Sequence, residues 1–458
     1  MADRKTRYPR SARGLAWALH QQVWEDGGYA NIVWPKLLAD TPLTAEDTRF
    51  ATELAYGSLR RYGQWEAIVK AASGRDPHRI QQEVWWVLIL GTHQLLAMST
   101  ATHAAVNEMV ALCKTLGFSR ASGFVNAVLR RVSEKTLEQW LEILTANRPE
   151  GAERLGVLHA HPEWIVHALG QALEREGRLE ELPDLLGAHN EPASTHLALL
   201  GSTPHPNDQR TLYSPIGVVS PGNPGLDARV VASTARVQDE GSQLAALVAA
   251  HVVPMAAGMR MLDACAGPGG KTAVWGHVAQ QVGATLTAVE QHAHRAALVS
   301  DSVRGLHSGT VEVVTADVID YLDGTSEPFD RILLDAPCLG LGALRRRPEA
   351  RWRKKRSDLD GLMDTQRALL SACAGALAPG GHLVYVTCSP VVEETTEAIS
   401  WLLAHDSTMR AVQTEPIIQS VVRKPLDQVA VGTAVQLWPH RHGTDAMFIQ
   451  VLVKSPSD

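Results

Sequence analysis

Two apolar runs of this chain each end on a cysteine. One is Arg331-Ile-Leu-Leu-Asp-Ala-Pro-Cys338 and the other is Leu383-Val-Tyr-Val-Thr-Cys-Ser-Pro390. A third run, Met261-Leu-Asp-Ala-Cys-Ala-Gly-Pro-Gly-Gly-Lys-Thr272, ends in a glycine-rich turn. A thiol at the end of a strand has the exposure and polar setting that a nucleophile requires. A lone cysteine is otherwise a small buried hydrophobe, which is the reading for Cys113 and Cys373, each on an apolar helix face. A glycine loop with two strand-end thiols points to a cofactor and a covalent step sharing one cleft.

The strands expected at 259–263, 285–290, 311–317, 330–335 and 382–388 deliver Asp263, Glu290, Asp317, Asp335 and Cys388 to their carboxyl ends. In an open α/β sheet, ligands bind in the crevice outside those ends. Gly267, Gly269 and Gly270 let the backbone turn sharply and approach a ligand without a Cβ in the way. The loop is neither Gly-x-Gly-x-x-Gly nor a Walker loop, so phosphate binding is disfavoured. A methionine moiety packed against glycine backbone fits better. Cys265, Ala266, Pro268 and Lys271 complete the set expected around the cofactor. Glu290 offers two acceptors to the ribose hydroxyls of an adenosine and would repel a 2′-phosphate. Asp317 is expected at the adenine edge.

The elements that must hold these residues fall into three stretches. Residues 1–145 read as helical, with apolar positions three and four apart in 12–23 and 50–65. Thr44 stands as an N-cap ahead of Glu46 and Asp47. Val84-Trp-Trp-Val-Leu-Ile-Leu90 is too short to span a bilayer and reads as buried helix. Residues 146–235 read as a small α/β connector. From 236 to 458 strands alternate with helices, which predicts a mostly parallel sheet covered on both faces. For 458 residues, a prior of about 150 residues per domain also gives about three domains.

The net charge of −6 makes no overall case for nucleic acid, so any such case rests on local patches. The polar, basic N-terminus, Met1 to Arg10, reads as neither signal peptide nor membrane anchor. Five scattered cysteines, with no Cys-x-x-Cys pair, fit a reducing cytoplasm and argue against a disulfide framework or structural zinc. The pairs His292/His294 and His440/His442 lack partners at ligand spacing, so no metal is expected. The densest basic run is Arg345-Arg-Arg-Pro-Glu-Ala-Arg-Trp-Arg-Lys-Lys-Arg356. A charge run is usually a solvated face. This one follows Cys338 closely and has Trp352 interleaved, so Arg345, Arg346, Arg347, Arg351 and Lys354 are read as contacts to RNA phosphates.

Tyr56-Gly-Ser-Leu-Arg-Arg61, His103-Ala-Ala-Val-Asn107 and Gly123-Phe-Val-Asn-Ala-Val-Leu-Arg-Arg131 resemble a NusB-type helical domain. With the glycine loop, Asp335-Ala-Pro-Cys338 and Thr387-Cys388, the chain resembles the Fmu/Sun (RsmB-type) family of 16S rRNA cytosine-C5 methyltransferases. The resemblance covers nearly the whole chain and is weakest in the middle. It implies S-adenosylmethionine as cofactor, a Rossmann-like catalytic domain and naked or early-assembly 16S rRNA as substrate of a monomeric enzyme.

The C5 of cytosine is a poor nucleophile until a thiolate adds at C6. Asp335 is the acid suited to the charge developing on the ring, and a base must later take the C5 proton. DNA cytosine methyltransferases place their nucleophile in a Pro-Cys pair, here Pro337-Cys338. The RNA enzymes resembled here use the Thr-Cys cysteine, which implies attack by Cys388 and release aided by Cys338. The chain departs from the family in two places. Leu197-Ala-Leu-Leu-Gly201 lacks the family's Arg and Asn, and Ala446 and Met447 stand where a Gly and an aromatic are usual. The same chemistry on tRNA or another RNA is the alternative, followed by a non-catalytic RNA-binding assembly factor. A binder would not need two thiols, nor a small-molecule methyltransferase the Arg-rich loop.

Overall fold

The computed structural model describes residues 8–456. Most of the basic N-terminus lies outside the described residues. The chain forms two compact units.

The first unit is helical. Its helices are α1 (Ala12–Trp24), α2 (Ala30–Asp40), α3 (Ala45–Arg60), α4 (Tyr62–Ser73), α5 (Gln82–Leu96), α6 (Thr102–Thr115), α7 (Ser122–Val132) and α8 (Leu137–Thr145). Side-chain caps start several of them, the expected one at Thr44 among them. The Thr44 hydroxyl accepts the Asp47 N–H at 3.1 Å, and Thr136 forms a capping box with Gln139. The run Val84–Leu90, with Trp86, is buried throughout on α5, and Trp17 and Trp65 are buried beside it in one core. Each fully buried Leu, Ile or Val side chain there contributes about 1.5–3 kcal/mol.

Residues 146–235 do not stand as a separate connector. Helices α9 (Ala152–His159) and α11 (Leu182–Ala188) belong to the first unit, while the second takes 171–179 and everything from Pro192 to Ala343. The division falls within α10 (Glu163–Arg175). Packing explains it: α9 lies against α4 and α8, whereas Glu176 accepts from Trp438 Nε1 at 2.7 Å and pairs with Arg441 at 2.6 Å.

The first unit also includes the distant segment Leu344–Lys354. Arg351 is fully buried there. Its guanidinium donates to the carbonyls of Arg60 (3.0 Å), Ala160 (2.9 Å) and His189 (3.0 Å) and to Asn190 Oδ1 (2.7 Å). Trp352 Nε1 donates to Leu59 O at 2.9 Å, and Arg353 Nη1 to Gly28 O at 2.9 Å. The phosphate-contact reading therefore fails for Arg351, because its donors are engaged inside the protein. Arg345 is also buried and is withdrawn with it, while Arg346 and Lys354 are half-buried and Arg347 is exposed.

The second unit carries two sheets. The smaller is antiparallel, with β1 (His196–Leu199) between β2 (Gly217–Val219) and β3 (Ala235–Val237). The larger has nine strands, and five of them match the sequence expectation. These are β4 (Arg260–Asp263), β5 (Thr285–Glu290), β6 (Val311–Thr315), β7 (Phe329–Asp335) and β8 (Leu377–Thr387), all mutually parallel in the order β8-β7-β4-β5-β6. Four further strands were not anticipated: β9 (Met409–Val412), β10 (Ala430–Val431), β11 (Ala434–Leu437) and β12 (Met447–Lys454). β12 pairs antiparallel with β8, placing Phe448 opposite Thr387, and β9, β10 and β11 extend that side. The sheet is thus mixed but mostly parallel. From β4 the chain proceeds to β5 and β6 on one side, then returns to β7 on the other. The switch point lies between β4 and β7, where a ligand crevice is expected.

Candidate active site

Asp263 and Asp335 end the two strands that flank the switch point, and the glycine loop leaves β4 directly. Backbone geometry there requires glycine. Gly269 has φ +100°, a left-handed value that L side chains avoid, and it precedes the helix Gly270–Val282. A Cβ at Gly267 would collide with the Glu290 carboxylate. The Gly267 N–H instead donates to Glu290 Oε2 at 3.2 Å. The His292 N–H donates to Glu290 Oε1 at 2.9 Å, and Arg295 lies 3.4 Å from Oε2 while donating to Gly267 O at 2.6 Å. Loop and ribose-type carboxylate are therefore one assembly, and Glu290 keeps lone pairs for further donors.

Asp263 is buried, and Thr272 Oγ1 donates to its Oδ2 at 2.7 Å. Its Oδ1 meets no donor within the protein. Burial, opposed by the Thr272 hydrogen bond, pushes this carboxyl up to about 7. An unmatched acceptor beside a glycine cradle fits the amino-acid end of a nucleoside cofactor, and Glu290 fits its ribose. Asp317 sits just past β6, where it caps the helix Val318–Asp323 through the Ile319 N–H at 2.8 Å and accepts from Gln291 Nε2 at 3.2 Å.

The two strand-end thiols come together: Cys338 Sγ and Cys388 Sγ are 3.5 Å apart. The hydrogen bond to Cys388 and then burial push the Cys338 thiol well above its ordinary range. Lys271 donates to Asp335 Oδ2 at 2.7 Å. Burial works against the ammonium, but Asp335, with Cys388 as a further negative neighbour, outweighs it and keeps its pKa raised. Lys271, expected among the cofactor contacts, thus also serves the carboxylate and thiol of the reacting side. Cys113 and Cys373 are fully buried, and burial pushes Cys373 up to about 12.

Backbone bonds fix the thiol loops. Gly342 N–H donates to Cys388 O at 2.9 Å, and Ala446 N–H to Gly342 O at 3.0 Å, so the departure at Ala446 leaves this turn intact. Sequence reading passed over Thr272, Arg295, Gln366 and Glu394. Arg295, five residues after Glu290, carried a faint positional signal, and the others carried none. No group of His, Cys, Asp and Glu able to hold a metal occurs among the described residues, and no described helix is long and apolar enough to cross a membrane.

The family described as 16S rRNA methyltransferase RsmB/F matches residues 251–453, and the NusB family matches residues 10–134. Rv1407 of Mycobacterium tuberculosis, which carries a provisional methyltransferase name, is 40% identical over 454 residues, covering 96% of each chain. Ribosomal RNA small subunit methyltransferase B of Klebsiella pneumoniae is 30% identical, covering 88% of this chain and 92% of its own. The solved structure of PH0851 shares the fold at TM-score 0.79 and 20% identity, over 97% of this chain and 99% of that one. NSun6 from Pyrococcus horikoshii, solved with SFG, aligns at TM-score 0.52 and 17% identity, over 63% of this chain and 98% of its own. The chain belongs to the RsmB/F family and is an S-adenosylmethionine-dependent RNA methyltransferase with an N-terminal NusB-family domain.

Proposed function

We propose that this enzyme methylates C5 of a cytosine in 16S rRNA, naked or at an early stage of assembly, through a covalent bond between Cys388 and C6 of the base. The observation that carries the reading is the pair of thiols 3.5 Å apart at the ends of strands whose neighbours present Asp335 and Lys271. A methyltransferase acting on an already nucleophilic oxygen or nitrogen needs no such pair.

S-adenosylmethionine supplies an electrophilic methyl group when bound. The glycine loop 265–271 and Glu290 hold its amino-acid and ribose ends, with Asp317 at the adenine edge. Cys388, held near the Lys271 cation, adds as thiolate to C6 and moves an electron pair to C5. Asp335 stabilises charge on the ring at N3 or N4. After C5 has gained the methyl group, a base takes the C5 proton, the C6–S bond breaks with Cys338 aiding release, and the ring regains its aromaticity. A flipped cytosine fits this arrangement, since the reacting carbons are out of reach within a stack. The remaining exposed basic residues, Arg347 above all, hold phosphates of the RNA. Five reduced cysteines fit a cytoplasmic enzyme, and we take it to act as a monomer.

Transfer from methyl-labelled S-adenosylmethionine to 16S transcripts and to tRNA in parallel, followed by nucleoside digestion, tests the reading. Label in 5-methylcytidine from 16S alone is the expected result. Label from tRNA would move the substrate to the alternative, and label in another nucleoside would remove the C5 chemistry.

A further inference from the structure

The peptide carrying Cys338 is gripped from both sides by two buried polar side chains. Gln366, on the helix Asp358–Gly375, donates from Nε2 to Pro337 O at 2.8 Å, on the residue before the cysteine. Glu394 Oε1 accepts the N–H of Leu339, on the residue after it, at 2.8 Å. The same Nε2 of Gln366 lies 3.3 Å from Glu394 Oε1, so the two side chains are also tied to each other. Both are 0% exposed.

Glu394 closes the short turn Val392–Glu394 that follows Cys388 along the chain. Its own carbonyl is fixed by the Tyr385 hydroxyl at 2.8 Å, and Tyr385 lies on β8, the strand leading to Cys388. The element that carries one thiol therefore reaches across and holds the peptide of the other. The Gly342 N–H on Cys388 O closes the loop in the opposite direction. A carboxylate accepts such hydrogen bonds more strongly than a neutral carbonyl. Buried carboxylates hold backbone amides elsewhere in this fold, as Glu240 does for Tyr213 and Ser214; here two buried side chains, tied to each other, meet around one cysteine.

We propose that Glu394 and Gln366 are positioning residues for Cys338, clamping the peptide on both sides of it so that its sulfur stays within reach of the Cys388 sulfur and of a base bound there. The consequence for turnover rests on Cys338 acting in release as proposed above, while the clamp itself does not.

Two readouts on the full-length enzyme separate these points. Alkylation of Cys338 by iodoacetamide, followed by peptide mass spectrometry, reads the clamp without RNA. In Glu394→Ala and Gln366→Leu it speeds up about tenfold, the scale set by losing a hydrogen bond to a charged group. Turnover with RNA reads the consequence. Release of the covalent RNA adduct slows on the order of 100-fold, as a small misplacement of a reacting group does, while the KM for RNA stays within about twofold. Glu394→Gln, which keeps an acceptor of the same shape, restores both readouts to within about threefold of the parent. Should Glu394→Ala fail to fold, Glu394→Gln and Gln366→Leu carry the test. Unchanged Cys338 alkylation in the folded variants overturns the clamp. So does an equal loss of KM, cofactor affinity and release without rescue by Glu394→Gln. If Cys338→Ala itself releases adduct at the normal rate, the release reading falls and the alkylation ratio still decides the clamp.

Discussion

Each unit of this protein encloses a cation, Arg351 wholly and Lys271 nearly so, and the two serve different ends. Arg351 in the helical unit is wholly enclosed, and every acceptor it meets is a carbonyl or amide oxygen, drawn from residues 60, 160, 189 and 190. Burial lowers its pKa, so the surroundings do not favour the charge as such; the fork of donors is what the packing uses. Lys271 in the catalytic unit meets a carboxylate and has a thiol as a further negative neighbour, and its pKa rises despite burial. Arg351 joins backbone segments distant in sequence, whereas Lys271 pairs with the carboxylate and neighbours the thiol to which the proposed mechanism gives the chemistry. The acceptors around a buried cation, more than its place in a basic run, distinguish scaffold from chemistry.

The largest effect is expected at the scaffold cation. Arg351→Met strands four acceptors, three of them buried carbonyls, and should cost about 3–5 kcal/mol in urea unfolding. The folded fraction should bind RNA as before; weakened binding at unchanged stability would return Arg351 to the phosphate contacts. Lys271→Met should lower methyl transfer on the order of 100-fold, the scale of losing one preorganised electrostatic partner. Normal turnover with weak cofactor binding would make Lys271 a cofactor contact alone.

Asp263 gives the next effect. Its folded pKa of about 7 lies above the ordinary aspartate value of 3.8, so the folded chain binds the extra proton in that window. The stability it contributes is complete below the lower value and is lost as pH rises toward the upper one. The slope is about 1.4 kcal/mol per pH unit near pH 5 to 6. Asp263→Asn should flatten that decline in melts taken across the window, and an unchanged slope would assign it to other groups. Arg347→Ala, at an exposed position, should have the smallest effect. Its salt dependence of RNA binding should fall by about one counterion, with no change in stability.

The parallel strands and the glycine loop were legible because each strand is a near-continuous apolar run closed by a polar residue. A left-handed turn such as that at Gly269 announces itself by its glycine. The antiparallel strands β9 to β12 were not legible. β10 has only two residues, and no strand was expected over Met447–Lys454. Arg351 was misread for a related reason. Its acceptor on Arg60 lies 291 positions away, and no local pattern distinguishes a cation that faces solvent from one that faces distant carbonyls. Nothing in the local sequence tells Glu394 from its neighbour Glu393, yet only Glu394 is buried in full.

The division of labour between the two thiols is the central claim, and an adduct trap tests it most directly. Cys338→Ala is incubated with S-adenosylmethionine and 16S transcript, run on a denaturing gel, and the RNA-linked peptide is identified by mass spectrometry. The account predicts a retarded protein–RNA species whose cytidine is attached to Cys388, and none when Cys388→Ala is added to the same variant. A clean gel with normal 5-methylcytidine yield, or cytidine attached at another residue, would contradict it.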